Sequence, residues 1–108
     1  MDLTCRLQLV GDAPVLAVAG VIDLATVPLL RDELLRSVHR HRGQVVVVDL
    51  DGVSVLDDTG LGILLGAAAT ARRNGGDIQI ACSTPGLLDR FALTGLDRAI
   101  TVRPRITR

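Results

Sequence analysis

The segment Asp49-Leu50-Asp51-Gly52-Val53-Ser54-Val55-Leu56-Asp57-Asp58-Thr59-Gly60-Leu61-Gly62 holds the densest chemistry in the chain. Four carboxylates and the Thr59 hydroxyl stand between an apolar run and a helical pattern. Active segments of open α/β sheets lie at the carboxyl ends of strands, where this one falls. Thr59 sits where a helix starts, and two roles are open to it on spacing alone. Its hydroxyl can cap an N–H two or three residues on. It can also accept a phosphoryl group, because free N–H groups and the positive dipole of a helix N-terminus tolerate added negative charge. Gly60 and Gly62 carry no side chains, so a partner's backbone or a kinase's catalytic loop has room to approach. The carboxylates fit either a solvated loop that complements the helix dipole or part of a site.

The elements that must position this segment follow from apolar spacing. Leu3, Cys5, Leu7 and Leu9 alternate with polar residues, which predicts a half-buried strand. Gly11-Asp12-Ala13-Pro14 predicts a turn, and Val15 to Ala19 a second strand completing a hairpin. Val27, Leu30, Leu34 and Val38 line one face of a helix that Thr26 is expected to cap, with Pro28 tolerated in its first turn. Gly43 ends that segment. The β-branched run from Val45 to Leu50 predicts a central, parallel strand, and residues 51–58 are expected to form a loop. A second helix follows from Gly60 to about Arg73, with Leu61, Leu64, Ala68 and Ala71 on one side, stopped by Asn74-Gly75-Gly76. Ile78, Ile80 and Cys82 mark another strand. Ser83-Thr84-Pro85 starts a third helix, with Leu87, Leu88 and Phe91 as its buried side. Gly95 breaks that helix, and residues 99–102 are expected to form the last strand. The order β-β-α-β-α-β-α-β predicts an α/β fold, a mixed sheet with helices packed against it.

Composition narrows the function classes. The 108 residues suit one domain, 1–108. Twelve Arg balance eleven Asp and Glu33, there is no Lys, and Phe91 is the lone aromatic. Net charge near zero disfavours a basic nucleic-acid binder, and a single-stranded platform needs stacking rings that this chain lacks. No nucleic-acid or membrane partner is expected. Neither a signal peptide nor an apolar run near ~20 residues is visible, so a soluble cytoplasmic protein is expected. Two cysteines are too few for a disulfide scaffold.

Val-Val-Asp-Leu-Asp-Gly-Val-Ser-Val-Leu-Asp-Asp-Thr-Gly-Leu-Gly, residues 47–62, resembles the signature of the STAS domain, and in particular that of bacterial anti-sigma factor antagonists. Gly20-Val21-Ile22-Asp23-Leu24-Ala25-Thr26 resembles the family's Gly-x-apolar-Asp segment before the first helix. Leu93-Thr94-Gly95-Leu96-Asp97 resembles its Leu-Thr-Gly-Leu segment after the third. The resemblance implies a non-enzymatic, partner-switching regulator without cofactor or metal. Its unmodified form would bind an anti-sigma factor that is also a serine/threonine kinase, and so free the sigma factor. Phosphorylation at the position of Thr59 would release the complex, and a protein phosphatase would reset it. Asp57 and Asp23 map onto the family's acidic positions. The implied partner surface is Asp23, Asp57, Asp58, Gly60, Leu61 and Gly62. Thr59 stands where Ser is commoner, Asp58 where the family often has Ser, and Arg103–Arg108 is too short for the C-terminal helix of many relatives. The alternative within the fold is a constitutive docking subunit of a stress complex or a lipid-transport assembly, with no modification.

Other motifs point less far. Gly60-Leu61-Gly62 is a poor dinucleotide turn because the expected loop separates it from the preceding strand and Asp77 comes before the next strand instead of after it, and no Gly-Lys-[Ser/Thr] exists for a P-loop. His39 and His41 complement a helix C-terminus and lack partner ligands for a metal. Cys82 precedes a helix start whose dipole can lower a thiol pKa, but buried, inert thiols are the expected state of both Cys82 and Cys5. Arg98, Arg103, Arg105 and Arg108 form a small basic patch, read as a solvated tail.

Overall fold

A computed structural model of the chain describes residues 2–104. Strands β1 (Leu3–Val10) and β2 (Ala13–Ile22) form the opening hairpin. Helix α1 (Val27–Arg40) leads to β3 (Val45–Leu56), and α2 (Asp58–Arg73) leads to β4 (Asp77–Ala81). Then come α3 (Pro85–Thr94), a one-turn helix α4 (Leu96–Ala99) and β5 (Thr101–Arg103). The sheet order is β1-β2-β3-β4-β5. Only β1 is antiparallel to its neighbour, so the sheet is mixed with β3 at its centre, as the sequence predicts. Parallel neighbours need crossovers, and α1, α2 and the α3–α4 pair supply them.

The helices share one face of the sheet. Leu30, Leu34 and Val38 of α1 and Leu64, Ala67, Ala68 and Ala71 of α2 pack with Leu16, Val18, Val46, Val48, Ile78 and Ile80. Phe91, Leu96 and Ile100 close the same core. On the opposite face Val15, Val47 and Ala81 form a small cluster of strand residues. The one polar side chain buried among the described residues, Ser37, donates to the Glu33 carbonyl at 2.7 Å and so leaves no unmet donor in α1.

Several boundaries differ from expectation. The hairpin turn is only Gly11-Asp12, with Gly11 at φ 63°, and Ala13 and Pro14 already pair with Val10 and Leu9. Pro14 is tolerated because it lies at the start of its strand. Leu88 is exposed, since Leu87 and Phe91 alone face inward on α3. Gly95, at φ 80°, ends α3 and lets the chain turn at once into α4, an element the sequence reading lacks. Arg105 and Arg108 of the basic tail lie outside the described residues.

The largest correction concerns residues 51–58. They are not a loop, because β3 runs on to Leu56. Ala17 pairs with Asp49 and Ala19 with Gly52, while Gly20 pairs with Val53 and Val21 with Val55. Each step inserts one extra residue into β3, giving two bulges. Leu50, Val53 and Leu56 therefore all face the helices at intervals of three, which disguises the strand's period of two.

Candidate functional site

Bulging carries β3 past the body of the sheet and delivers Asp57 to the mouth of α2. The Asp57 N–H donates to the Ile22 carbonyl at 3.1 Å, so the ends of β2 and β3 are tied together there. Asp57 then caps the helix. Its Oδ1 accepts the N–H groups of Thr59 at 3.1 Å and Gly60 at 3.3 Å. The same oxygen accepts the Thr59 hydroxyl. Thr59 is therefore not the cap, because Asp57 occupies that position and satisfies the free N–H groups itself.

Thr59 lies in the first turn with its side chain exposed. Its hydroxyl proton is engaged by Asp57, which leaves the lone pairs of Oγ1 as the unengaged, nucleophilic side of the group. The Thr59 hydroxyl is also the main reason that the Asp57 carboxyl is held below its ordinary 3.8. The Gly60 and Thr59 N–H groups and the nearby Arg90 cation add to that effect, and desolvation opposes it. Asp57 is thus an anion at neutral pH.

Asp58 opens α2 with a side chain 88% exposed, and its Oδ1 accepts Arg90 Nη2 from α3 at 2.5 Å. Asp23 stands at the end of β2, where its Oδ1 accepts the N–H groups of Ala25 at 3.0 Å and Thr26 at 3.1 Å. Thr26 Oγ1 donates to the Val21 carbonyl at 2.8 Å and accepts the Asp23 N–H at 3.0 Å. The Thr26 hydroxyl is therefore turned back onto the strand and does not cap α1 as expected. Asp23 and Thr26 together fix the turn beside Asp57.

The Gly60-Leu61-Gly62 triplet divides. Gly60 is buried, and a Cβ there would sit 2.5 Å from Ile22 Cγ2 and 2.6 Å from Leu56 Cδ1. Its missing side chain admits the neighbouring strands, not a visiting backbone. Leu61 is likewise buried in the core. Gly62 is exposed, and a Cβ there would meet nothing within 4 Å. It opens a shallow cleft of about 220 Å³ between α1 and α2, lined by Arg31, Leu35, Ile63, Gly66, Ala67 and Thr70 as well.

The four carboxylates also separate. Asp49 Oδ1 accepts the Asp51 N–H, and Asp51 Oδ1 accepts Ser83 through its N–H at 2.7 Å and its Oγ at 3.0 Å. Asp51 thus ties β3 to the segment just before α3, leaving Asp57 and Asp58 at the helix mouth. Sequence reasoning missed Arg90, since an Arg on a third helix carries no local signal. It also missed two exposed apolar side chains, Leu24 (74% exposed) in the Asp23 turn and Val55 (50% exposed) at the end of β3. An apolar residue inside a tight polar turn was the available signal for Leu24. Among the described residues no cluster of His, Cys, Asp and Glu could hold a metal ion, and no helix is long and apolar enough to cross a membrane. Burial pushes the Cys5 thiol up to about 11 and raises Cys82 as well, so the helix start after Cys82 does not leave that thiol lowered.

A family model described as Mlab, STAS domain, matches residues 5–104. The chain belongs to the STAS family. The anti-sigma-B factor antagonist of Bacillus subtilis is 31% identical over 85 residues, 79% of this chain and 76% of that one. The corresponding antagonist of Listeria monocytogenes is 34% identical over 86 residues, 80% of this chain and 75% of its own. A crystal structure of an anti-sigma factor antagonist from Mycobacterium paratuberculosis superposes with a TM-score of 0.86 at 26% identity, covering 97% of this chain and 88% of the other. These similarities place the STAS domain within the anti-sigma factor antagonist group, which consists of non-enzymatic regulators.

Proposed function

We propose that this STAS domain binds an anti-sigma factor with serine/threonine kinase activity through the mouth of α2, and that phosphorylation of Thr59 ends the complex. A protein phosphatase would restore the binding form. One observation carries the proposal: Thr59 is exposed, and its hydroxyl is held in place by the Asp57 cap beside a second carboxylate. Phosphoryl transfer from ATP to Oγ1 would release ADP and pass the hydroxyl proton to a base. The product adds about −1.5 to −2 charges next to Asp57 and Asp58. That charge repels acidic partner groups and must be desolvated in any apolar interface. A loss of ~3 kcal/mol is already more than a hundredfold in affinity. The contact surface comprises Asp23, Asp57, Asp58, Thr59 and Gly62, with Leu24 and Val55 as apolar anchors. Gly60 and Leu61 support it from beneath. A structure of the Bacillus cell fate determinant SpoIIAA in phosphorylated form gives a precedent for the modification on this fold.

Incubation with the kinase-type anti-sigma factor and ATP should raise the intact mass by one phosphate, and Thr59→Ala should abolish the gain. Phosphate appearing on another residue of the wild-type chain would overturn the assignment. The Mlab description of the matching family favours a second reading, a constitutive docking subunit using the same surface. That reading predicts no mass gain and unchanged partner affinity in Thr59→Asp.

A further inference from the structure

Arg90 is the one cation that an ion pair brings to the mouth of α2 among the described residues. It comes from α3, thirty-two positions away in sequence, so local helix geometry does not explain its placement. Its side chain is 36% exposed, while that of Asp58 is 88% exposed. The cation is therefore the more buried member of the pair and the carboxylate the one that meets solvent. The buried Nε of Arg90 has no hydrogen-bond partner among the described residues, so the guanidinium retains an unmet donor. Its positive charge is felt at Asp57, whose Oδ1 holds the Thr59 hydroxyl.

A phosphoryl group on Thr59 changes the competition for this cation. Asp58 offers a single carboxylate in solvent, where an ion pair is weak. A phosphate offers up to two negative charges and three acceptor oxygens, and the planar guanidinium matches that geometry. Asp57 and Asp58 flank the hydroxyl on its own element, Arg90 arrives from α3, and Asp23 stands on the turn that follows Ile22. In that setting Arg90 is the only opposite charge that the ion pairs of the described residues supply.

We propose that Arg90 is the internal counter-ion for phosphate on Thr59: its guanidinium exchanges Asp58 for the phosphoryl oxygens once the residue is modified. The inference rests on Thr59 as the phosphoacceptor. Arg90 is a positioning residue in this scheme. It draws the phosphate toward α3, frees Asp58 into solvent, and changes the surface shown to the partner without refolding the domain.

The test uses the full chain with phosphothreonine installed at position 59 during synthesis, so no kinase is required. Phosphorus NMR then follows the second ionisation of the phosphate. In the folded wild-type chain it should titrate below the value of the same chain unfolded in urea. Arg90→Gln should raise it by about half a unit or more, and Arg90→Lys should recover part of the difference. Equal titration in folded wild-type and folded Arg90→Gln chains would overturn the proposal. If Arg90→Gln does not fold, the wild-type chain decides alone: the Arg90 Nε–H resonance should move downfield on phosphorylation, and an unmoved resonance counts against the exchange. A kinase that ignores Thr59 would defeat the proposed function while leaving this titration to decide the role of Arg90.

Discussion

Asp57 does two things with one oxygen: it caps α2, and it fixes the hydroxyl that is proposed to change state. Asp57→Ala should lower the melting temperature by removing the cap, while Asp57→Asn keeps an acceptor for the N–H groups and should lose less. The sign with pH follows from the depressed folded-state value. The charged carboxylate stabilises the fold above its ordinary 3.8 and loses that effect as pH falls through the lower folded value. The gap between wild type and Asp57→Ala should therefore narrow in acid towards the size of the gap between Asp57→Asn and Asp57→Ala, and a gap that does not change with pH contradicts the charge assignment. Cys5 behaves in the opposite sense. Its neutral thiol is favoured by burial, so its contribution is complete below 9.0 and fades as pH rises through about 11. Alkylation at neutral pH should be slower in the native chain than in the unfolded one by roughly tenfold or more. Fast native labelling would show that the thiol is not protected. That Thr59 stands at a helix start beside Asp57 and Asp58 was legible in the sequence, but its hydrogen bond to Asp57 was not. Which of the two caps the helix was not, because Asp and Thr rank closely as caps and the strand's true end decides the register.

At the level of elements, two glycines two positions apart should respond in opposite ways. Gly60→Ala forces a Cβ against Ile22 and Leu56 and should cost about 1–3 kcal/mol in chemical denaturation. Gly62→Ala meets open space and should stabilise α2 by about 0.5–1 kcal/mol. If Gly62 is part of the docking surface, the same substitution should weaken partner binding, so stability and affinity move apart. A Gly62→Ala chain that binds as tightly as wild type would remove this residue from the surface. The three longer helices and the central parallel strand were legible because Leu30, Leu34 and Val38 carry a helical period and Val45 to Val48 an unbroken β-branched run. The end of β3 was not, because its two bulges place Leu50, Val53 and Leu56 on one face. Such a shift depends on pairing with β2, and no local pattern reports it. The α4 turn escaped for a related reason, being four residues held between Gly95 and Ile100 by tertiary packing.

Across the whole molecule, the core and the proposed switch are separate. Helices α1 and α2 bury their apolar stripes on the sheet, whereas Thr59, Asp58 and Gly62 stand outside that core. Truncating the core should damage the fold: Leu64→Ala should cost about 2–5 kcal/mol, a large part of the ~5–15 kcal/mol typical of such a domain. Charge at Thr59 should leave the fold intact and alter only what the surface can hold. The family was legible from three motifs spread along nearly the whole chain, while Arg90 came into view only once distant segments were placed side by side. The most direct measurement is a calorimetric titration of the kinase-type anti-sigma factor with unmodified and Thr59-phosphorylated protein, alongside circular dichroism of both. The expected result is superposable spectra with affinity lower by about a hundredfold or more in the phosphorylated form. Equal affinities with superposable spectra would contradict the charge switch.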